Sequence, residues 1–431
     1  MKVIQFRVND FLIDLEEVIK WMIKATFIIF LYYAMYSRGG GLLGLSGGLT
    51  ASFLSFVLFF LSIGYSIYYK QQFIISQLAG LIILFLIFIA LTPILSTFVY
   101  DFHPGVSLRL MIEVAVIGFI FLAVYNFIRS GVITPKFFLY ALAIVGFVAA
   151  LQTLGNLVGR TNIYRIRSSI GGVNYLGNTY AMCAIIWMMI LYRATLLNSS
   201  NRKLRIIQLF CFMTVFTAML VTGTRSAVIG FLIGLIAFVT FGVLARDRRK
   251  YFLLSVGVIV LAVFVLSLQF DLSGLWNRYT TSEIVRMAEI RYNLYSRSVT
   301  DLTIGEFLVG RPDLYIFGSG QSGSRMVNTH NLFLSLIRYH GIHVFVLFIV
   351  LLSVIAVNYL KLFKIRKEQP ALRLAESSII ILLIMALVYT MFSGGRPTRA
   401  FSFFVALGYM AGYLELLKSV RSQDEYNKMI L

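Results

Sequence analysis

A chain of 431 residues that is 59% hydrophobic and 13% charged, with a mean hydropathy of +0.86, lacks the composition of a soluble domain, where about a quarter of residues are charged. Its formal net charge of +20 raises nucleic acid as a partner, but the basic residues are dispersed between apolar runs instead of gathered in one polar domain, which points to membrane topology and anionic lipid instead. Cys183 and Cys211 both sit inside apolar runs, so neither a disulfide framework nor a zinc site has support, and they read as small buried hydrophobes.

Residues 1–20 mix Asp10, Asp14, Glu16 and Glu17 with apolar positions, which predicts an amphipathic surface helix leading into the first span and not a cleavable signal peptide. Crossing ~30 Å of hydrocarbon takes about 20 apolar residues. Runs of that kind lie near 21–37, 49–69, 73–92, 109–128, 137–154, 174–192, 206–222, 227–245, 251–270, 341–360, 377–393 and 400–417. No ten-residue alternation of a barrel is present, so the spans are expected to be helices. The expected architecture is an all-α polytopic membrane protein of ~12 transmembrane helices. Nine helices occupy 21–270, one large extracytoplasmic loop fills 271–329, three helices follow over 330–417, and 418–431 form a cytoplasmic tail.

With a cytoplasmic N-terminus, the short basic loops fall on one side: Lys70; Arg129 and Lys136; Arg202, Lys203 and Arg205; Arg246, Arg248, Arg249 and Lys250; Lys361, Lys364, Arg366 and Lys367. The lysines all take the inner side. The outer segments use arginine alone: Arg38, Arg109, Arg160, Arg165, Arg167, Arg225, then Arg278, Arg286, Arg291, Arg297, Arg311 and Arg325 in the long loop, and Arg396 and Arg399. Topology has no use for arginine outside, whereas a planar, always-charged guanidinium fork is suited to phosphate. Snorkelling to lipid phosphates accounts for any one of them equally well; clustered around one loop system, they suggest a phosphate-binding vestibule.

Three short sequences stand out. Thr222-Gly223-Thr224-Arg225-Ser226 is wedged between two apolar runs, so a tight hairpin carries Arg225 at the outer interface. In the long loop, Glu289-Ile290-Arg291-Tyr292-Asn293-Leu294-Tyr295 begins a helix-like pattern and Gly318-Ser319-Gly320 marks a turn. Asn328-Thr329-His330-Asn331-Leu332-Phe333-Leu334 opens an apolar helix, with Gly341 following. His340 and His343, about one turn apart, read as helix-end hydrogen-bonders. The outer carboxylates Asp271, Glu283, Glu289, Asp301, Glu306 and Asp313 lack tight ligand spacing, so no metal and no other cofactor is expected. Trp276, Tyr279, Tyr292 and Tyr295 could stack on sugar rings, although interfacial belt placement explains aromatics there as well.

Taken together, these segments resemble the O-antigen polymerase and O-antigen ligase superfamily, the Wzy/WaaL-like membrane glycosyltransferases of GT-C type. Thr224-Arg225-Ser226-Ala227 matches that family's Ser/Thr-Arg-Ser/Gly-Ala step. Ile290-Arg291 with Tyr295 corresponds to its loop entry, with Glu289 in place of glycine. Gly318, Gly320, His330, Asn331, Leu334 and Gly341 match its Gly-x-Gly turn and His-Asn-x-x-Leu segment. Gly171-Gly172-Val173-Asn174-Tyr175-Leu176-Gly177 is a weaker match to a helix entry, with the family's proline lost. The likeness covers residues 170–345 in family order.

The resemblance implies transfer of a glycan from an undecaprenyl-diphosphate carrier to an acceptor hydroxyl on the outer face of a bacterial inner membrane, without metal or nucleotide sugar. Arg225 and Arg291 would grip the diphosphate and His330 would activate the acceptor. Arg286, Arg278, Arg165, Arg167, Asn331 and Tyr295 are further substrate-binding candidates. The chemistry agrees: preorganised arginines stabilise the charge developing on a diphosphate leaving group, and a neutral imidazole suits proton abstraction. The implied partners are an undecaprenyl-diphosphate-linked oligosaccharide, membrane lipids and a chain-length regulator protein. Polymerase is favoured over ligase by the Phe, Ile, Tyr and Leu bias and by an arginine-rich outer surface fit for two diphosphate-linked substrates. A ligase acting on lipid A-core, a protein O-oligosaccharyltransferase and a lipid-linked glycan flippase stay open.

Overall fold

A computed structural model describes residues 5–8, 11–35, 47–68, 75–100, 104–156, 173–196, 202–243, 280–300, 302–311, 331–365, 370–392 and 401–419, with isolated positions between 247 and 260. The described residues are almost entirely helical. Strands β1 (Gln5–Val8) and β2 (Phe11–Asp14) form a short antiparallel hairpin with Val8 opposite Phe11. This corrects the expected surface helix. The helix α1 (Leu15–Met35) starts only after the hairpin, with Glu16 and Glu17 in its first turn, where the positive end of the helix dipole favours acid, and Lys20 bridging both carboxylates.

The helices that follow are α2 (Gly47–Tyr68), α3 (Gln77–Tyr100), α4 (Pro104–Arg129), α5 (Pro135–Gly155), α6 (Val173–Leu196), α7 (Arg202–Val221) and α8 (Arg225–Ala237), the last running on into a π turn over Phe238–Gly242. Beyond them come α9 (Thr281–Thr300), α10 (Ile304–Val309), α11 (Leu332–Ile365), α12 (Pro370–Phe392) and α13 (Phe401–Ser419). Among the described residues, seven helices are long and apolar enough to cross a membrane, in α2, α3, α4, α5, α7, α8 and α11. The expected runs at 21–37, 174–192, 377–393 and 400–417 also coincide with helices, whereas the run at 251–270 lies outside the described residues except for isolated positions.

Packing follows what hydrocarbon requires. With lipid as apolar as leucine, helices associate through close backbone approach and internal polar bonds. Gly408 and Gly412, four apart on α13, provide the first. A Cβ at Gly408 would lie 2.9 Å from the Phe121 carbonyl oxygen and one at Gly412 2.6 Å from that of Tyr125, so α13 and α4 touch backbone to backbone. Asn126 provides the second: its Nδ2 donates to the Ser62 carbonyl at 2.9 Å and to Ser66 Oγ at 2.8 Å, joining α4 to α2. Phe138 of α5 stacks on Tyr409 of α13 with ring centroids 4.2 Å apart. Facing outward are Phe53, Phe60, Ile67, Ile87, Leu91, Leu95 and Phe98, an apolar rim of the kind that lipid, and not water, covers.

Contacts along the helices fix their relative directions. Helix α6 runs parallel to α8, since Asn178 meets Ser226 and Tyr192 meets Phe238. It runs antiparallel to α5, where the Tyr180 hydroxyl and that of Thr153 are 2.6 Å apart and Trp187 Nε1 donates to the Ala143 carbonyl. Phe85 of α3 meets Phe348 of α11, and Thr92 meets the His340 carbonyl, so these two are antiparallel as well. Phe348 in turn meets Phe403 of α13. Carried through the bundle, the pattern brings the N-terminal ends of α6, α8, α11 and α13 to one side, together with α10.

Candidate functional site

At that end two of the sequence motifs meet. Between α7 and α8 the chain turns in three residues, Thr222, Gly223 and Thr224. Gly223 takes a φ of 60°, its amide donates to the Leu220 carbonyl at 2.9 Å, and Thr222 Oγ1 closes the end of α7 on the Met219 carbonyl at 2.7 Å. Thr224 is extended at the start of α8, and its carbonyl accepts from the amides of Ala227 and Val228. Arg225 is therefore the first helical residue of α8. A guanidinium on the turn whose amides point outward sums two attractions for an anion, its own charge and the helix dipole.

This hairpin is seated on the start of α6, the segment singled out as the weaker motif. A Cβ at Gly177 would lie 2.6 Å from Thr222 Oγ1 and 2.9 Å from Thr224 Cβ, so only glycine permits this approach. One residue on, Asn178 Nδ2 donates to Ser226 Oγ at 3.0 Å, and both side chains are buried. Deeper in the contact, a Cβ at Gly234 would lie 2.7 Å from Met385 Sδ, so α12 packs on the same face of α8. Antiparallel α12 thus ends, at Phe392, on the side that carries Arg225. The arginine is partly exposed there while its neighbours Thr224, Ser226 and Ala227 are buried.

A second constellation forms where α10 docks on α11. Helix α11 starts at Leu332, within the Asn328–Leu334 segment expected to open an apolar helix, and continues through the apolar run at 341–360. The apolar character of Leu332, Leu336 and Tyr339, all buried, extends the helix outward past its first charged residue. Asn331 is its N-cap: Oδ1 accepts from the Leu334 amide at 3.2 Å. Gly341 breaks the helical path with φ 82° and ψ 168°, and the carbonyls of the turn before it find donors elsewhere. The Arg338 carbonyl accepts from the Arg311 amide at 2.8 Å, and that of His340 lies 3.5 Å from Thr92 Oγ1. Gly310, which caps α10 with φ 82°, lies against this break: a Cβ there would lie 2.6 Å from the Gly341 amide, and one on Gly341 would run into the Leu308 carbonyl.

Glu306 ties the junction together. Thr303 and Glu306 form a capping box, with Thr303 Oγ1 accepting from the Glu306 amide at 3.2 Å and Glu306 Oε2 accepting from the Thr303 amide at 3.0 Å. The other carboxylate oxygen accepts from Arg311 Nη1 at 2.7 Å. Burial works to raise the Glu306 carboxyl, but the Arg311 guanidinium and the Thr303 donors outweigh it and hold it below the ordinary value of 4.5. His343 donates from Nδ1 to the Leu308 carbonyl at 3.0 Å. This is the hydrogen-bonding role expected of it, exercised at the kink and not at a helix end, whereas the His340 side chain is buried.

Of the predicted site residues, Arg225 and Asn331 lie on one end of the bundle, and Asn331 spends its carboxamide oxygen on capping. Arg286 is exposed on α9, and Arg291 and Tyr295 fall on the same helix, which packs against α11. His330, Arg278, Arg165 and Arg167 lie outside the described residues. Sequence reasoning missed Gly177 and Asn178 as the seat of the Arg225 hairpin, the Glu306–Arg311 pair, and Arg338. The signal for Arg338 was present: a cation two turns into an apolar helix.

No protein-family model matches the chain, and no curated protein matches it in sequence. Its class is that of a helical membrane protein with several helices long and apolar enough to span a bilayer.

Proposed function

We propose that this protein is a polysaccharide polymerase of the O-antigen or capsule type. It transfers a glycan from an undecaprenyl-diphosphate carrier to the sugar hydroxyl of another lipid-linked repeat unit, without metal. In this reading the chain has twelve spans in a bacterial inner membrane, both termini are cytoplasmic, and the end carrying Arg225 and Asn331 faces outward. The observation that carries it is the seating of Thr222–Ser226 on Gly177 and Asn178. Two segments of the motif set, far apart in sequence, meet around an arginine at a helix N-terminus on the end of the bundle where the His330–Asn331 segment enters α11.

Arg225 and Arg291 bind the diphosphate oxygens. The acceptor hydroxyl attacks the anomeric carbon, the bond from that carbon to the phosphate oxygen breaks, and the diphosphate leaves with the electron pair. His330 takes the hydroxyl proton. Guanidinium groups help here because they interact more strongly with the charge of the departing diphosphate than with the intact diester.

The test is an in vitro reaction of purified protein with an undecaprenyl-diphosphate-linked repeat unit, chelator present, with lipid A-core included or omitted. A ladder of longer carrier-linked glycans without lipid A-core supports the polymerase. Product only with lipid A-core makes it a ligase, and no product in either arm favours a flippase for the same lipid.

A further inference from the structure

Arg338 stands apart from the other cations at the outer end of the bundle. It lies on the first, pre-kink piece of α11, and seven residues at 3.6 per turn place it nearly beneath Asn331, about 10 Å deeper. Asn331, Leu334 and Arg338 form the partly exposed stripe of that piece, opposite the buried stripe of Leu332, Leu336 and His340. The stripe is thus reachable from the side on which the His330–Asn331 segment enters the helix.

Among the described residues, its neighbours leave its charge uncompensated. Arg311 docks on the same turn, its amide bonded to the Arg338 carbonyl, but the carboxylate at the junction, Glu306, is engaged by Arg311 and by the Thr303 amide. Arg338 Nη1 is shielded from solvent and, among the described residues, has no hydrogen-bond partner. The adjacent Tyr339 side chain is buried and supplies no negative charge. A guanidinium with a dehydrated nitrogen and no anion beside it is costly in a helix at membrane depth, and residues of that kind mark binding positions. The planar fork of arginine is matched to tetrahedral oxyanions.

We propose that Arg338 is a phosphate-binding residue, holding the oxyanion of a phosphate-bearing lipid on the Asn331 stripe of α11. Two lipids carry this chemistry, the polyprenyl diphosphate carrier and an anionic phospholipid; the first source rests on the reading under Proposed function and the second does not.

The full chain, wild type and with Arg338→Gln or Arg338→Lys, is purified in detergent, and binding of undecaprenyl diphosphate and of phosphatidylglycerol is measured by native mass spectrometry. Arg338→Gln is expected to weaken one of the two lipids about 10-fold or more, with Arg338→Lys retaining part of the affinity. If the carrier lipid is the one affected, the residue serves the transfer site; if phosphatidylglycerol is, it serves a membrane-lipid site. Wild-type affinity for both lipids in Arg338→Gln overturns the proposal, as does equal loss in both variants, which would indicate a packing role.

A second measurement uses only the wild-type chain. Phenylglyoxal modification of Arg338, read by peptide mass, should slow on saturation with one of the two lipids, and an unchanged rate with both also overturns the proposal. Protection of Arg338 without any glycan transfer would remove the polymerase reading and leave this one standing. Transfer without protection would do the reverse.

Discussion

Gly341→Ala probes the docking of α10 on α11. The residue holds φ 82° and ψ 168°, a region open in practice to glycine alone, so alanine there costs about 1–3 kcal/mol in backbone strain. The added Cβ also runs into the Leu308 carbonyl. That contact is relieved by moving α10 away, which breaks the Arg311 amide bond to the Arg338 carbonyl and the His343 Nδ1 bond to the Leu308 carbonyl. At about 1 kcal/mol each, these bring the total to about 3–5 kcal/mol. At 1.4 kcal/mol per decade, opening of the junction becomes about two to three and a half decades more frequent. Hydrogen exchange with peptide-resolved mass spectrometry reads this on residues 303–311, where the Gly310 and Arg311 amides are bonded in the docked state. Gly118→Ala is the control: its Cβ meets only Leu86 Cδ1 at 3.8 Å, and a mid-helix alanine is neutral to favourable by up to about 1 kcal/mol. Wild-type protection over 303–311 in Gly341→Ala would refute the argument from close approach.

Gly177→Val should displace the Arg225 hairpin, because its Cβ would lie 2.6 Å from Thr222 Oγ1; binding of undecaprenyl diphosphate should fall about as far as in Arg225→Ala, and full binding would show that the seat does not matter. Asn178→Leu removes the buried hydrogen bond to Ser226 and should lower the melting temperature by an amount corresponding to about 1–3 kcal/mol; no shift would deny the contact a stabilising role. Because the Glu306 carboxyl lies below 4.5 in the folded state, its contribution is complete above that value and is lost as pH falls through the lower folded one. Exchange over 303–311, corrected for intrinsic rate, should accelerate in that acid range, and Glu306→Gln should remove the dependence while raising opening about 10-fold at neutral pH. His330→Ala should abolish transfer with carrier-lipid binding retained; normal product would remove the histidine from the mechanism.

Much of the helical layout was legible in the chain because a lipid-facing helix advertises itself: about 20 apolar residues and no charges are a local property, and the basic loops punctuate them. Arg225 was legible for the same reason, as a cation between two apolar runs. What sequence could not give was which turns touch. Gly177 is one glycine among 33, and it matters only because α6 runs parallel to α8 and antiparallel to α7, which brings it against Thr222 and Thr224. Asn331 was read for its chemistry, but its side-chain oxygen caps α11, because the helix that this segment opens starts at Leu332. The N-terminal segment became a hairpin where acidic and apolar residues suggested a helix, since β pairing depends on a partner strand that a single-segment pattern does not contain. Composition, spans and charge asymmetry are set by transfer of each segment between water and lipid. The glycine seats, the docking of α10 on α11 and the placement of Arg338 beneath it were decided by helix packing, which joins residues tens or hundreds of positions apart through contacts of a few ångströms.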